Sequence, residues 1–256
     1  MSTFRNAVFA AVVAGLFAGL LMAVMQHFTT VPLILQAETF ENAGAEAAPT
    51  ETAPAAGATA EAPATHDHAA TAHEHDEEGW APADGFERTF YSFLANVVTA
   101  VGFALLLVVA SEFAGGVLSW RQGVLWGLAG FAVFTLAPGL GLPPELPAMP
   151  AADLGERQVW WWFTVIATTA GLALIAFRGT VTWSLLGLVL IVVPHLVGAP
   201  QPVSHESPIP ENLHHQFVVI TTVTNLVFWV VLGGLVGALR DRFFAGEDIQ
   251  LRGKLA

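Results

Sequence analysis

Six runs of eighteen or more residues without Asp, Glu, Lys or Arg divide this 256-residue sequence: 7–25, 90–111, 122–142, 159–177, 180–197 and 216–239. About twenty apolar residues in a helix cross the hydrocarbon core of a bilayer. A backbone in hydrocarbon must satisfy its own hydrogen bonds, and these runs are continuous rather than alternating as barrel strands are, so helices are expected. The expected fold is an all-α integral membrane protein, a polytopic bundle of about six transmembrane helices set in the lipid bilayer. Pro194 and His195 interrupt the end of the fifth run and make it the weakest. The first run is read as a span rather than a cleaved signal, because nineteen apolar residues are long for that role and no convincing small-x-small cleavage site follows.

Between the first two runs the composition changes. Residues 42–87 are rich in Ala, Pro, Thr and Glu and cannot bury enough apolar surface to offset their ordering entropy, so the tract is expected to be disordered. The organisation then reads as a first span with its flank (1–41), this loop (42–87), a helical membrane bundle (88–239) and a tail (240–256).

Six spans return the chain to the side on which it starts. Arg5, Arg121, Arg178, Arg240, Arg242, Arg252 and Lys254 then share the terminal side, against Arg88 and Arg157 on the other. The positive-inside rule makes the terminal side cytoplasmic, with the protein in the inner (cytoplasmic) membrane. All nine histidines and seventeen of the 21 acids fall on the opposite side, which is then about −15 by formal count against about +3 inside. Such an asymmetry concentrates cations outside. The overall charge of −12 leaves no footprint for nucleic acid.

Gly15/Gly19, Gly123/Gly127 and Gly233/Gly237 each place two glycines one turn apart, which lets helix backbones approach closely. Trp120, Trp183 and Trp160 to Trp162 stand near span ends, where indoles anchor at the interface. Asn96, Thr99, Thr168, Thr169, Thr221, Thr222, Thr224 and Asn225 lie inside spans, where they either line a polar path or hydrogen-bond between helices. Glu112 is expected to pair with Arg121 across the short turn, or with water.

The polar side carries chemistry suited to metals. His66, His68, His73 and His75, flanked by Asp67, Glu74, Asp76, Glu77 and Glu78, offer nitrogen and oxygen donors for Zn(II), Ni(II), Co(II) or Cu(II). In a flexible loop they would bind weakly and exchange quickly, as an antenna does. His195 at the end of the fifth run, His214 and His215 before the sixth, and Gln26 and His27 at the end of the first converge on the same side. The chain has no cysteine, which removes thiolate ligands and disulfides. No P-loop, Gly-x-Ser-x-Gly or His-Glu-x-x-His motif occurs, and no enzymatic activity is expected.

Residues 142–162, LPPELPAMPAADLGERQVWWW, resemble the CbtA family of predicted cobalt transporter subunits. So do residues 32–41 (PLILQAETFE), 95–103 (ANVVTAVGF), 123–131 (GVLWGLAGF) and 193–202 (VPHLVGAPQP), which extends the similarity over nearly all of the chain outside 42–87. The resemblance implies an integral membrane component of cobalt uptake associated with cobalamin biosynthesis and accompanied by CbtB, a small single-span protein with histidines. It also implies a shared site at Glu38, Glu145, Asp153 and His195, the positions its motifs cover. The family is commonly described with five spans rather than the six counted above.

Two functions follow. One is a membrane subunit of a divalent-metal uptake transporter, with Co(II) as substrate first and Ni(II) or Zn(II) next. The other is a non-transporting membrane protein that senses metal or delivers it to a conducting partner. The sequence leaves the oligomeric state and the energy source open.

Overall fold

The computed structural model describes residues 2–47, 82–117 and 119–255. Among these residues it contains helices and no strand. Helix α1 (Ser2–Phe28) stops at Thr29, whose hydroxyl turns back to the Met25 carbonyl, and α2 (Thr30–Ala47) starts at once. Pro32 sits in the first turn of α2, where its missing N–H costs least and its ring discourages continuation of α1.

Helix α3 (Phe86–Glu112) ends in a turn through Gly115 and Gly116, both at positive φ. Ser119 then caps α4 (Trp120–Phe131) by accepting from the Gln122 N–H. That span continues through a π-helical segment, Ala132–Leu136, into the short α5 (Ala137–Gly141). The wide turn has a local cause. Pro138 has no N–H to give to the carbonyl four residues back and its ring crowds that carbonyl; the Ala137 N–H reaches Ala132, five residues back, instead.

Asp153 caps α6 (Leu154–Arg178), its Oδ1 accepting from the Glu156 N–H at 3.0 Å. Gly179 in the left-handed region ends that helix, and α7 (Val181–Val197) begins two residues later. Helix α8 (Glu211–Leu255) closes the described chain.

Among the described residues, five helices are long and apolar enough to cross a membrane: Arg5–Phe28, Phe86–Glu112, Trp120–Gly141, Leu154–Arg178 and Glu211–Arg242. Helix α7, at 17 residues, is shorter, about 25 Å at 1.5 Å per residue. It nevertheless packs antiparallel to α6 along most of its length: Gly171 and Gly187 face each other, and Trp160 near the start of α6 donates its indole N–H to the Pro194 carbonyl (3.2 Å). The six sequence runs thus correspond to five full-length spans and one short helix.

Three antiparallel pairs organise the bundle: α1 with α3, α4 with α8, and α6 with α7, the first two joined by α1 against α8. The glycine pairs lie at the seams. A methyl group on Gly15 or Gly19 would collide with the Val101 or Val97 backbone, and one on Gly123, Gly127, Gly233 or Gly237 would strike backbone of the facing helix. Around these seams Ala11, Ala14, Ala18, Leu107, Phe131, Trp229, Leu232 and Val236 form the main core. Large apolar side chains such as Phe17, Val98, Leu125 and Ile166 face outward, as lipid contact requires.

The start of α1, the end of α3 and residue 240 of α8 share one end of the bundle, the terminal end. There Glu112 pairs with Arg240 of α8, whose side chain is only 3% exposed, rather than with Arg121 as the sequence suggested. Arg121 and Arg178 instead lie over the rings of Trp120 and Trp183 at that end. At the opposite, polar end, a second apolar cluster joins Leu33 and Ala37 of α2, Leu146 of the 142–153 loop, Ile209, and Leu213 and Phe217 of α8.

Candidate metal-binding end

The polar end is where α1, α5 and α7 finish and α3, α6 and α8 start, so each contributes polar termini to it. His27 occupies the last turn of α1, edge-on to Phe28 and 6.3 Å from the Phe93 ring centroid. It shares a cleft of about 460 Å³ with Gln26, Glu38, Asp84, Arg88 and Asn96, between the α1–α2 elbow and the first turns of α3. Gln26 Oε1 accepts from Asn96 Nδ2 at 2.8 Å. Glu38 of α2 takes both ends of the Arg88 guanidinium, Nη2 to Oε1 at 2.5 Å and Nη1 to Oε2 at 3.3 Å, while Asp84 Oδ1 holds Nη1 at 3.3 Å.

Glu145 has the same kind of partner. Its Oε2 lies 3.0 Å from Arg157 Nη2, joining the 142–153 loop to the first turn of α6. Arg88 and Arg157 are the two basic residues the sequence places at this end, and both engage carboxylates that the sequence offered to a metal. Asp153 is committed to capping α6.

His195 is half-buried in the last turn of α7 and meets the Trp160 ring edge-on, with centroids 5.9 Å apart. The Trp160 bond to the preceding carbonyl of Pro194 fixes that turn. His214 Nε2 lies 3.2 Å from the Pro144 carbonyl, a distance at which a protonated ring nitrogen donates and leaves Nδ1 for another partner. His215 and His205 are exposed. His66, His68, His73 and His75 lie outside the described residues.

Among the described residues, no three His, Asp or Glu side chains are grouped as a metal site. Among the described residues, the expected ligands His27, Glu38, Glu145, His214 and His195 lie at one end but at three stations: His27 with Glu38, Glu145 with Arg157 beside His214, and His195 on Trp160. The sequence reading omitted the pairing of Glu38 and Glu145 each with an arginine. The signal was present, since only two basic residues stand among so many acids at that end.

The polar residues inside the spans serve mainly their own helices. Asn96, Thr164, Thr169, Thr222 and Asn225 each bond a carbonyl one turn back. Cross-helix bonds are made by Asn96 to Gln26 and by Trp229 Nε1 to Thr135 Oγ1 of the π segment (3.3 Å). The hydroxyls of Thr168 and Thr221 are buried without a partner among the described residues.

Among the described residues, His27, His195 and His214 stand at the same end of the bundle as Glu38 and Glu145. No curated protein and no solved structure matches the chain significantly. A comparison with protein families matches residues 4–241 to CbtA, described as a probable cobalt transporter subunit. With nearly its whole length matched, this multi-pass helical membrane protein belongs to the CbtA family.

Proposed function

We propose that this subunit admits Co(II) through the inner (cytoplasmic) membrane, with its polar end outside and the start of α1 and the end of α8 in the cytoplasm. The family match carries this reading, since the family is that of cobalt transporter subunits. Donor chemistry supports it: imidazole nitrogens at His27, His195, His214 and His215, and carboxylates at Glu38, Glu145 and Asp153, are ligands Co(II) accepts, as Ni(II) and Zn(II) also do. The basic residues support the orientation, because the terminal end holds Arg121, Arg178 and Arg240 while Arg88 and Arg157 at the polar end are neutralised by Glu38 and Glu145. As a subunit it works with a partner, and a small histidine-bearing single-span protein of the CbtB kind would supply further ligands at the same face.

The two classes of histidine would act differently. His66, His68, His73 and His75 belong to a polar, alanine- and proline-rich tract, so a metal ion bound there pays an ordering cost each time. His195 is held by a helix end whose preceding carbonyl is bonded to Trp160, and less freedom remains to be lost. Deleting residues 64–78 should therefore lower Co(II) accumulation only when metal is scarce, whereas His195→Ala should lower it even when metal is plentiful. Saturation curves at equal membrane abundance test this. A deletion that abolishes uptake at every concentration, with His195→Ala behaving like the parent, would reverse the assignment.

A further inference from the structure

The helices fall into two mechanical groups. Helices α1, α3, α4 and α8 pack on one another, while α6 and α7 pack on each other along the seam where Gly171 faces Gly187. Among the described residues, the helical contacts that join the α6–α7 hairpin to the other four helices run chiefly through the π segment, 132–136, and α5. These lie toward the polar end of their span. Trp160 is the clamp there: its ring lies against Gly141, the last residue of α5, and its N–H holds the Pro194 carbonyl near the end of α7. Toward the terminal end the hairpin stands clear. Burial on α6 stops at Gly171, well short of the helix end at Arg178, and Ile175, Phe177, Val181 and Leu185 are exposed on either side of the turn into α7.

The segment that connects the two groups is poorly secured backbone. In an α-helical register the Val133 carbonyl would take the N–H of residue 137, and in a π-helical register that of residue 138. The Ala137 N–H goes to Ala132 instead, and residue 138 is a proline with no N–H to give. A carbonyl without a donor in its own helix is costly in hydrocarbon, and wide turns of this kind are where long helices bend. Side chains of both groups hold the segment in its place. From the four-helix unit Trp229, whose ring rests on Gly130, stacks on Phe134 with centroids 5.8 Å apart and donates its N–H to Thr135 Oγ1 at 3.3 Å. From the hairpin, Trp161 meets Phe134 at 6.2 Å.

We propose that the π segment is a hinge on which the α6–α7 hairpin swings as one body against the four-helix unit, with the Trp229 to Thr135 bond as its latch. A helix rises 1.5 Å per residue, so Phe177 stands about 25 Å along α6 from the Trp160 clamp, and a rotation of about 10° at the hinge displaces it by about 4 Å. The swing opens and closes the space between the two groups at the terminal end while the polar end stays together. The hinge goes beyond the uptake reading and does not depend on it, although motion of one helix group against another is how transporters expose a route to each side in turn.

Spin-label distances in the full-length protein, held in lipid nanodiscs, test the hinge in a chain with no native cysteine. Labels at Leu125 of α4 and Phe177 of α6 span the two groups. Leu125 with Leu106 of α3 lies within the four-helix unit, and Ile166 of α6 with Leu188 of α7 lies within the hairpin; all five positions are exposed. The pair across the groups should give a broader distance distribution than either pair within one. Thr135→Val keeps the side-chain shape and removes the acceptor, so it should shift or widen the cross-group distribution by about 4 Å. Pro138→Ala restores a donor and a regular helix, so it should narrow that distribution. Both variants should leave the two within-group pairs unchanged. A cross-group distribution as narrow as the controls, and unmoved in both variants, overturns the proposal. So does widening of all three pairs together by Thr135→Val, which marks a general loosening of the bundle. Neither cobalt nor flux enters these measurements, so a protein that swings as expected yet moves no Co(II) would fault the uptake reading and leave the hinge standing.

Discussion

Gly15→Ala and Gly102→Ala insert the same methyl group into two different helices of one seam and should have different consequences. On Gly15 the methyl carbon would lie 2.5 Å from Val101 Cα and 2.7 Å from Val101 N, both backbone atoms that cannot rotate away. Carbon atoms in contact prefer about 3.5–4.0 Å, so α1 and α3 must separate locally by roughly 1 Å. On Gly102 of α3 nothing lies within 4 Å. Both changes gain the same helix propensity, up to about 1 kcal/mol, and that gain cancels in the comparison. What remains is overpacking, about 1–3 kcal/mol, or roughly 5- to 140-fold in the unfolding equilibrium. Reversible unfolding of the two variants in detergent, followed by tryptophan fluorescence, measures the difference directly. Gly15→Ala should be the less stable by that amount, and Gly102→Ala equal to or above the parent. If the two variants unfold alike, the α1–α3 seam is not a close backbone contact and the packing account fails.

Trp160→Phe should remove the buried N–H bond to Pro194, costing about 1 kcal/mol and raising hydrogen exchange at residues 195–198; unchanged exchange there would show that the indole does not hold the His195 turn. Pro138→Ala restores a donor, so the π segment should tighten to regular α-helix and the Trp229 to Thr135 bond should be lost, visible as a shift of the Trp229 indole N–H resonance; a resonance left in place argues that the proline is not the cause. Glu112→Gln removes the charge facing the buried Arg240 and should lower the melting temperature in detergent more than Arg240→Met, which fills the same space with apolar atoms; the reverse order would refute a structural role for the pair at the terminal end.

The spans and their glycine seams were legible because both are written locally. An uninterrupted apolar run forces a helix wherever a backbone must satisfy itself in lipid, and glycines four apart mark the stripe that a partner backbone can approach. Gly123/Gly127 and Gly233/Gly237 indeed meet across α4 and α8. The length of the fifth run was less clear, and the structure gives it 17 residues, with Pro194 in its last turn. Helix α2 was overlooked although its signals were present: Pro32 in a first turn, followed by apolar residues at 33, 37 and 40 that cover the end of the bundle. That Arg88 and Arg157 would be neutralised by acids was legible from their scarcity at that end, but the particular partners were not, because Glu38 with Arg88 and Glu112 with Arg240 depend on which helices abut, and hydropathy carries no information about neighbours. For the same reason the sequence could gather His27, His195 and His214 to one side but could not show that they occupy separate stations.

The central claim is that this chain, with its partner, carries Co(II) across a bilayer, and flux through a defined membrane tests it most directly. Purified protein is reconstituted into liposomes with and without CbtB, and entry of radiolabelled Co(II) is followed against protein-free vesicles. The account predicts saturable entry in the reconstituted vesicles, greater with the partner and reduced by His195→Ala. Co(II) held at the vesicle surface, with none reaching the lumen under either condition, would contradict it and identify a membrane protein that binds metal without moving it.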